Sequence, residues 1–219
     1  MNLASHRLCR ALFAAALIML ALSACAPAVM GGAFMGSVSA TDRRTLGAQI
    51  EDEAIESKAA KRIEENLGDR AHVNITSYNR QVLLTGEIPN DQDKQLVEQV
   101  VSRVENIRSI FNELAVLGHS TLTQRSSDTL VTAKVKSELI DAKDLTSSAF
   151  KVVTERGTTF LMGRVTRREA DRATDITRNI SGVQKVVRLF EIITEEELLQ
   201  LQPPPSDPKN GAGRASYNR

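Results

Sequence analysis

Leu84-Thr85-Gly86-Glu87-Ile88 and, 77 residues later, Leu161-Met162-Gly163-Arg164-Val165 are the stretches whose reading decides the fold. Each is an apolar run broken by one glycine. Ahead of the first, Val73 and Ile75 alternate with polar neighbours; ahead of the second, Phe150 and Val152 match them, again 77 residues on. Period-two alternation of this kind is the signature of a strand, and the turn around Tyr78-Asn79-Arg80 makes the first pair of strands a hairpin. A glycine at the end of a central strand marks a bulge or a close backbone approach. A bulky residue at Gly86 or Gly163 is therefore expected to disrupt its copy by overpacking, a structural role and not a chemical one.

The flanking residues follow a different period. From Ala54 onward Ile55, Ala59, Ile63 and Leu67 recur every four residues and end near Gly68, which places them on one face of an amphipathic helix; Asp42 or Asp52 is the candidate start. Val131, Val135 and Leu139 match the first three at an offset of 76. After the Pro89-Asn90-Asp91 break, Leu96, Val97, Val100, Val101 and Val104 form a second helix. Ile107, Ile110, Leu114 and Val116 then read as a third strand. Ile180, Val183, Val186 and Phe190 match Val104, Ile107, Ile110 and Leu114, with the offset back at 76. Single-residue slips confined to loops are what a duplicated domain shows. The fold expected is α+β: two tandem small domains, each a three-stranded sheet covered by two helices. A unit of about 65 residues buries only ~60% of its unfolded surface, so the copies are expected to pack on each other.

The boundaries expected are 52–117 for the first copy, 118–127 for a polar connector and 128–194 for the second copy. In the tail, 195–219, Glu195 to Leu199 extends as a short helix before Pro203-Pro204-Pro205, and the remainder is polar, Gly-rich and expected to be disordered.

At the other end, His6, Arg7 and Arg10 precede an apolar run from Ala11 to Leu22 that exits through Ser23-Ala24. That is a secretory signal, residues 1–24, and the run falls short of the ~20 residues of a membrane-crossing helix. Leu22-Ser23-Ala24-Cys25 resembles a bacterial lipobox, which implies lipidation of Cys25 and cleavage before it; the alternative is an ordinary signal with a chance cysteine near the cut. With Cys9 lost in the signal, no intrachain disulfide remains. Residues 25–51 read as the lipidated terminus and a tether. Its uncharged part, Ala26 to Ala40, is either a lipid-touching segment through Met30, Phe34 and Met35 or a plain linker.

Several function classes lose support. The charge is nearly balanced, 28 basic against 27 acidic side chains, and there is no Trp, so neither a global field nor stacking platforms point to nucleic acid. His72 and His119 have no Cys or His partner at metal-ligand spacing, so no metal is expected. Gly31, Gly32 and Gly36 are not followed by Lys-Ser/Thr and form no phosphate loop. No nucleophile elbow is present. Neither enzymatic activity nor a cofactor is expected.

The helix, the strand pair ending in Leu84-x-Gly86-x-Ile88, the second helix and Ile107-x-x-Ile110, repeated at Leu161-x-Gly163-x-Val165 and Val183-x-x-Val186, together resemble the BON domain of bacterial envelope proteins. Two such copies behind a lipobox, preceded by Thr41-Asp42-Arg43-Arg44-Thr45-Leu46-Gly47, resemble dual-BON outer-membrane lipoproteins of the division- and outer-membrane-stress-associated lipid-binding type, over roughly residues 22–193. The resemblance implies a lipid-anchored protein on the outer membrane, facing the periplasm and needed for envelope integrity. Its second BON domain would bind anionic phospholipid through its first helix. Ala26, standing where an inner-membrane retention signal has Asp, agrees with that sorting.

The charge distribution points the same way. Residues 52–116 hold 8 Lys/Arg against 12 Asp/Glu, and residues 128–193 hold 12 against 9, so the second copy is the one an anionic surface attracts. On its first helix Val131, Val135 and Leu139 should face the sheet. Leu130, Ala133, Lys134 and Ser137 are then the phospholipid-contact candidates, an apolar side chain that dips beside an ammonium that stays with headgroups. The alternative for that face is plain solvation, with Leu130 tucked against the connector. Arg164, Arg167, Arg168 and Arg172 are a second-choice basic run. A rival function is a protein-interaction adaptor for outer-membrane assembly or peptidoglycan-remodelling machinery, with envelope proteins as partners of the acidic first copy.

Overall fold

Helix α1 (Leu46–Leu67) begins where Thr45 Oγ1 accepts the Ala48 amide, and stops at Gly68, whose N–H donates to the Glu64 carbonyl and whose positive φ of 55° turns the chain out of the helix. The computed structural model describes residues 42–201. The expected tether, 25–51, thus overlaps the helix. Its first turns hold Leu46 and Ile50 toward solvent, so they carry no core-facing period that would have extended the helix upstream of Ala54. Farther along, Asp52, Ile55, Ala59, Ile63 and Leu67 are buried.

Strands β1 (His72–Tyr78) and β2 (Gln81–Ile88) pair antiparallel through a two-residue turn, Asn79-Arg80, with φ of 50° and 65°. Turns with both central residues left-handed match the twist of a hairpin. Helix α2 (Asp91–Val101), capped by Asn90, crosses over so that β3 (Ser109–Asn112) and β4 (Ala115–Val116) both run parallel to β2. The single third strand expected over Ile107 to Val116 is interrupted at Glu113 and Leu114, the latter buried in the core.

The second copy repeats this order. Helix α3 (Leu122–Asp141) is capped by Thr121, 76 residues after Thr45, so the connector is shorter than the 118–127 expected. Strands β5 (Phe150–Glu155) and β6 (Thr158–Val165) meet at the turn Arg156-Gly157, helix α4 (Arg167–Arg178) starts from a Thr166/Glu169 capping box, and β7 (Lys185–Ile192) pairs parallel to β6 without a break. Helix α5 (Glu195–Leu201) closes the described chain.

Three cores hold these elements. In each copy the helices cover one sheet face: Ile55, Ala59, Leu84, Ile88 and Val97 in the first, Val135, Leu139, Leu161, Val165 and Ala173 in the second. The opposite faces form a third cluster from both copies, with Tyr78 and Leu83 against Phe160, Met162 and Leu189. Strands β2 and β6 are therefore buried on both sides, which is why they read as continuous apolar runs and not as alternating ones.

The glycines after those runs sit against carbonyl oxygens. A Cβ built on Gly86 would lie 2.0 Å from the His72 oxygen, at a φ of 114°, and one on Gly163 would lie 2.3 Å from the Ala149 oxygen.

Candidate functional site

Cys25 lies outside the described residues; the chain that leads from it enters the fold at Asp42. There Arg43 is buried. Its guanidinium donates two 2.7 Å hydrogen bonds to the Glu169 carboxylate in α4 and a third, 2.9 Å long, to the Arg164 carbonyl in β6. Planar, bidentate pairing of this kind is what Arg does and Lys cannot. Burial pushes the Glu169 carboxyl up, yet the bonds from Arg43 and the Thr166 amide hold it below its usual value.

Arg44 serves the first copy. It pairs with Asp42 and, at 2.7 Å, with Asp52, while its guanidinium carbon stands 4.4 Å from the centre of the Tyr78 ring. Asp52 also accepts the Asn79 and Arg80 amides of the hairpin turn, each at 2.7 Å. Asp128, 76 residues on, accepts the Arg156 and Gly157 amides of the other turn.

The contacts between copies are reciprocal. Arg156 from the second turn reaches the buried Glu87 carboxylate at 3.3 Å, where His72 Nδ1 also stands at 3.1 Å, and Asn79 from the first turn donates to Glu191 at 2.6 Å. Burial pushes the Glu87 carboxyl up, but hydrogen bonds from Ser120 in the connector, His72 and Arg156 bring it below its usual value. His72 is thus part of this cluster, whereas His119 is exposed. A cleft of about 350 Å³ beside it is lined from both copies, by His72, Asn74, Arg125 and Glu155 among others.

Helix α3 carries the phospholipid candidates. Ala133, Lys134 and Ser137 are exposed, and Leu130, 63% exposed, is not tucked against the connector. Two residues that the sequence reading passed over share the face: Leu122 at 81% exposure and Ile140 at 67%. At about 100° of rotation per residue, Leu122, Leu130, Ala133, Ser137 and Ile140 fall within about 80° of one another, opposite the buried Val131, Val135 and Leu139. Lys134 and Lys136 flank that stripe, and neither makes an ion pair or hydrogen bond among the described residues. The signal that would have found Leu122 is Thr121 as the helix cap, and Ile140 follows from carrying the same helical wheel one residue past Leu139.

The second-choice basic run is largely engaged elsewhere. Arg164 pairs with Glu191, and Arg168 and Arg172 with Asp144. Among the described residues no group of three His, Cys, Asp or Glu is placed to hold a metal ion, and no helix is long and apolar enough to cross a membrane.

The family model for the BON domain matches this chain twice, at residues 51–118 and 127–194. The chain belongs to the BON-domain family. Among similar proteins, the outer membrane lipoprotein DolP of Haemophilus influenzae is 37% identical over 174 residues, 78% of this chain and 90% of that protein. The 21 kDa hemolysin of Actinobacillus pleuropneumoniae is 30% identical over 154 residues, covering 69% and 79% respectively. The tandem BON pair and the likeness to DolP over most of both chains make this a dual-BON outer-membrane lipoprotein. Among solved structures, the C-terminal domain of CdsD, a structural protein of the type III secretion system of Chlamydia trachomatis, aligns at a TM-score of 0.28 and 14% identity, over 61% of this chain and 96% of that one. That likeness bears no weight beside the BON match.

Proposed function

We propose that this lipoprotein faces the periplasm from the outer membrane, binds anionic phospholipid through the α3 face of its second BON domain, and supports envelope integrity as a non-enzymatic component. The observation that carries the reading is the exposed stripe Leu122, Leu130, Ala133 and Ile140 flanked by the unpaired Lys134 and Lys136. A solvated helix has no need of three large aliphatic side chains directly opposite its core. A bilayer interface takes such side chains into its acyl boundary and pairs the ammonium groups with phosphate. Each such charge near an anionic surface is worth ~1 kcal/mol, so the face binds weakly but measurably alone, and an anchor that keeps the domain close raises its occupancy. Acylated Cys25 is that anchor, and intact-mass analysis of the native amino terminus checks it.

The test is sedimentation of the mature chain, with Cys25→Ser to remove the acyl group, on vesicles containing phosphatidylglycerol. Leu130→Glu and Lys134→Glu should each reduce the bound fraction severalfold while leaving vesicles of phosphatidylcholine alone unbound throughout. Equal binding by parent and both variants would refute the face. No binding by the parent, with a stoichiometric protein crosslinked in cells, would favour the adaptor role through the acidic first copy.

A further inference from the structure

Two large apolar side chains, Leu46 at 54% exposure and Ile50 at 60%, project from the first turns of α1, away from its buried Asp52, Ile55 and Ala59. A core helix gains nothing from them, and one turn apart on the same face they form a contiguous apolar spot. Beside it opens a polar pocket of about 570 Å³, lined by Gly47 and Glu51 of α1, Arg80 and Arg108 of the first copy, and Arg164 and Glu191 of the second. Glu191 is already held by Asn79, Arg108 and Arg164, and Glu51 by Asn106, whereas the Arg80 guanidinium makes no hydrogen bond or ion pair among the described residues. Gly47 has no structural need to be glycine: its backbone is not left-handed, and a Cβ there would meet only Thr45 Oγ1, at 3.9 Å. Glycine weakens a helix relative to alanine.

The chain outside the described fold decides what covers this surface. Residues 25–41, which lead from the proposed lipidation site Cys25, join the described residues at Asp42, four residues before Leu46. We propose that Leu46 and Ile50, together with the arginine-lined pocket beside them, form a second docking surface for an anionic phospholipid bilayer. The apolar pair enters the interfacial layer, and Arg80 with the solvent side of Arg108 takes headgroup phosphate. Arg80 is carried by a turn whose amides Asp52 anchors, so its backbone is held in place before any lipid arrives.

This inference rests on the reading that the partner is an anionic bilayer, but not on the α3 face, and the experiment separates the two. The mature chain with Cys25→Ser is compared with three double variants on phosphatidylglycerol vesicles: Leu46→Gln/Ile50→Gln, Arg80→Gln/Arg108→Gln, and Leu130→Glu/Lys134→Glu. The first two are expected to lose at least about fivefold in binding, on the scale of one basic contact at a charged surface. Their thermal unfolding should remain like the parent's. If both bind like the parent while the third fails, this surface is refuted and the α3 reading stands. If they fail and the third binds like the parent, this surface stands and the α3 face is refuted. A parent that binds no vesicles refutes both.

Discussion

Replacing Gly86 by alanine tests how the repeat is built. The added Cβ would lie 2.0 Å from the His72 carbonyl oxygen, 3.0 Å from its carbon and 3.4 Å from the Val73 Cα, all backbone atoms of the neighbouring strand. Carbon and oxygen settle no closer than about 3.3 Å, so β1 and β2 must separate by more than an ångström at the pairs His72↔Glu87 and Val73↔Gly86. Overpacking of this kind is worth ~1–3 kcal/mol. The φ of 114° adds strain of ~1–3 kcal/mol, because an L side chain rarely occupies that region. The sum is about 2–6 kcal/mol, a large part of a typical domain's 5–15 kcal/mol. Gly163 provides the internal control. Its Cβ would meet the Ala149 oxygen at 2.3 Å but without a left-handed φ, so Gly163→Ala should lose only the packing part, about 2 kcal/mol. Urea unfolding followed by far-ultraviolet circular dichroism, with midpoints converted through the measured slope, gives both numbers. If Gly86→Ala loses under 1 kcal/mol, or less than Gly163→Ala, the close-approach argument is wrong.

Arg43→Ala should destabilise the folded chain by about 3 kcal/mol, because it strands the Glu169 carboxylate in a buried site; Arg43→Met/Glu169→Met should recover much of that loss in thermal unfolding. Acid should weaken the fold from the same places. Glu87 and Glu169 both titrate below their ordinary value of 4.5 when folded, so the stability they contribute is present above that value and is lost as pH falls through their folded pKa values. Glu155, which burial pushes up, acts in the opposite sense and offsets part of the slope. Glu169→Gln should therefore lower the unfolding midpoint at neutral pH and flatten its decline below about pH 4.5; an unchanged acid slope would remove Glu169 from the account.

Much of this architecture was legible because its apolar pattern is local. Val82-Leu83-Leu84 and Phe160-Leu161-Met162 are buried on both faces, and Ile55, Ala59 and Ile63 keep one helical stripe, so strands, helices and the repeat follow from spacing alone. The N-terminal arm was not legible. Arg43 meets a carboxylate 126 residues away, and no local period encodes such a pair. The first turns of α1 escaped for the opposite reason: Leu46 and Ile50 are apolar but face out, which breaks the stripe that marks a helix. Thr45 and Thr121, at the repeat offset of 76, were the usable sign that both helices begin earlier. The α3 candidates followed from the resemblance and the helical wheel together; Leu122 was missed because it falls in the expected connector, and Ile140 because it lies beyond Leu139, the last position matched to the first helix.

The crossed contacts have a consequence for how such a molecule comes apart. Each copy offers the other the same kinds of group: a turn residue, a leading arm, and a sheet face around Leu83 or Met162. That is the self-complementary arrangement of a two-fold homodimer, here with its subunits fused into one polypeptide. A gene fragment encoding either half alone would expose to water the apolar sheet face that the other half now covers.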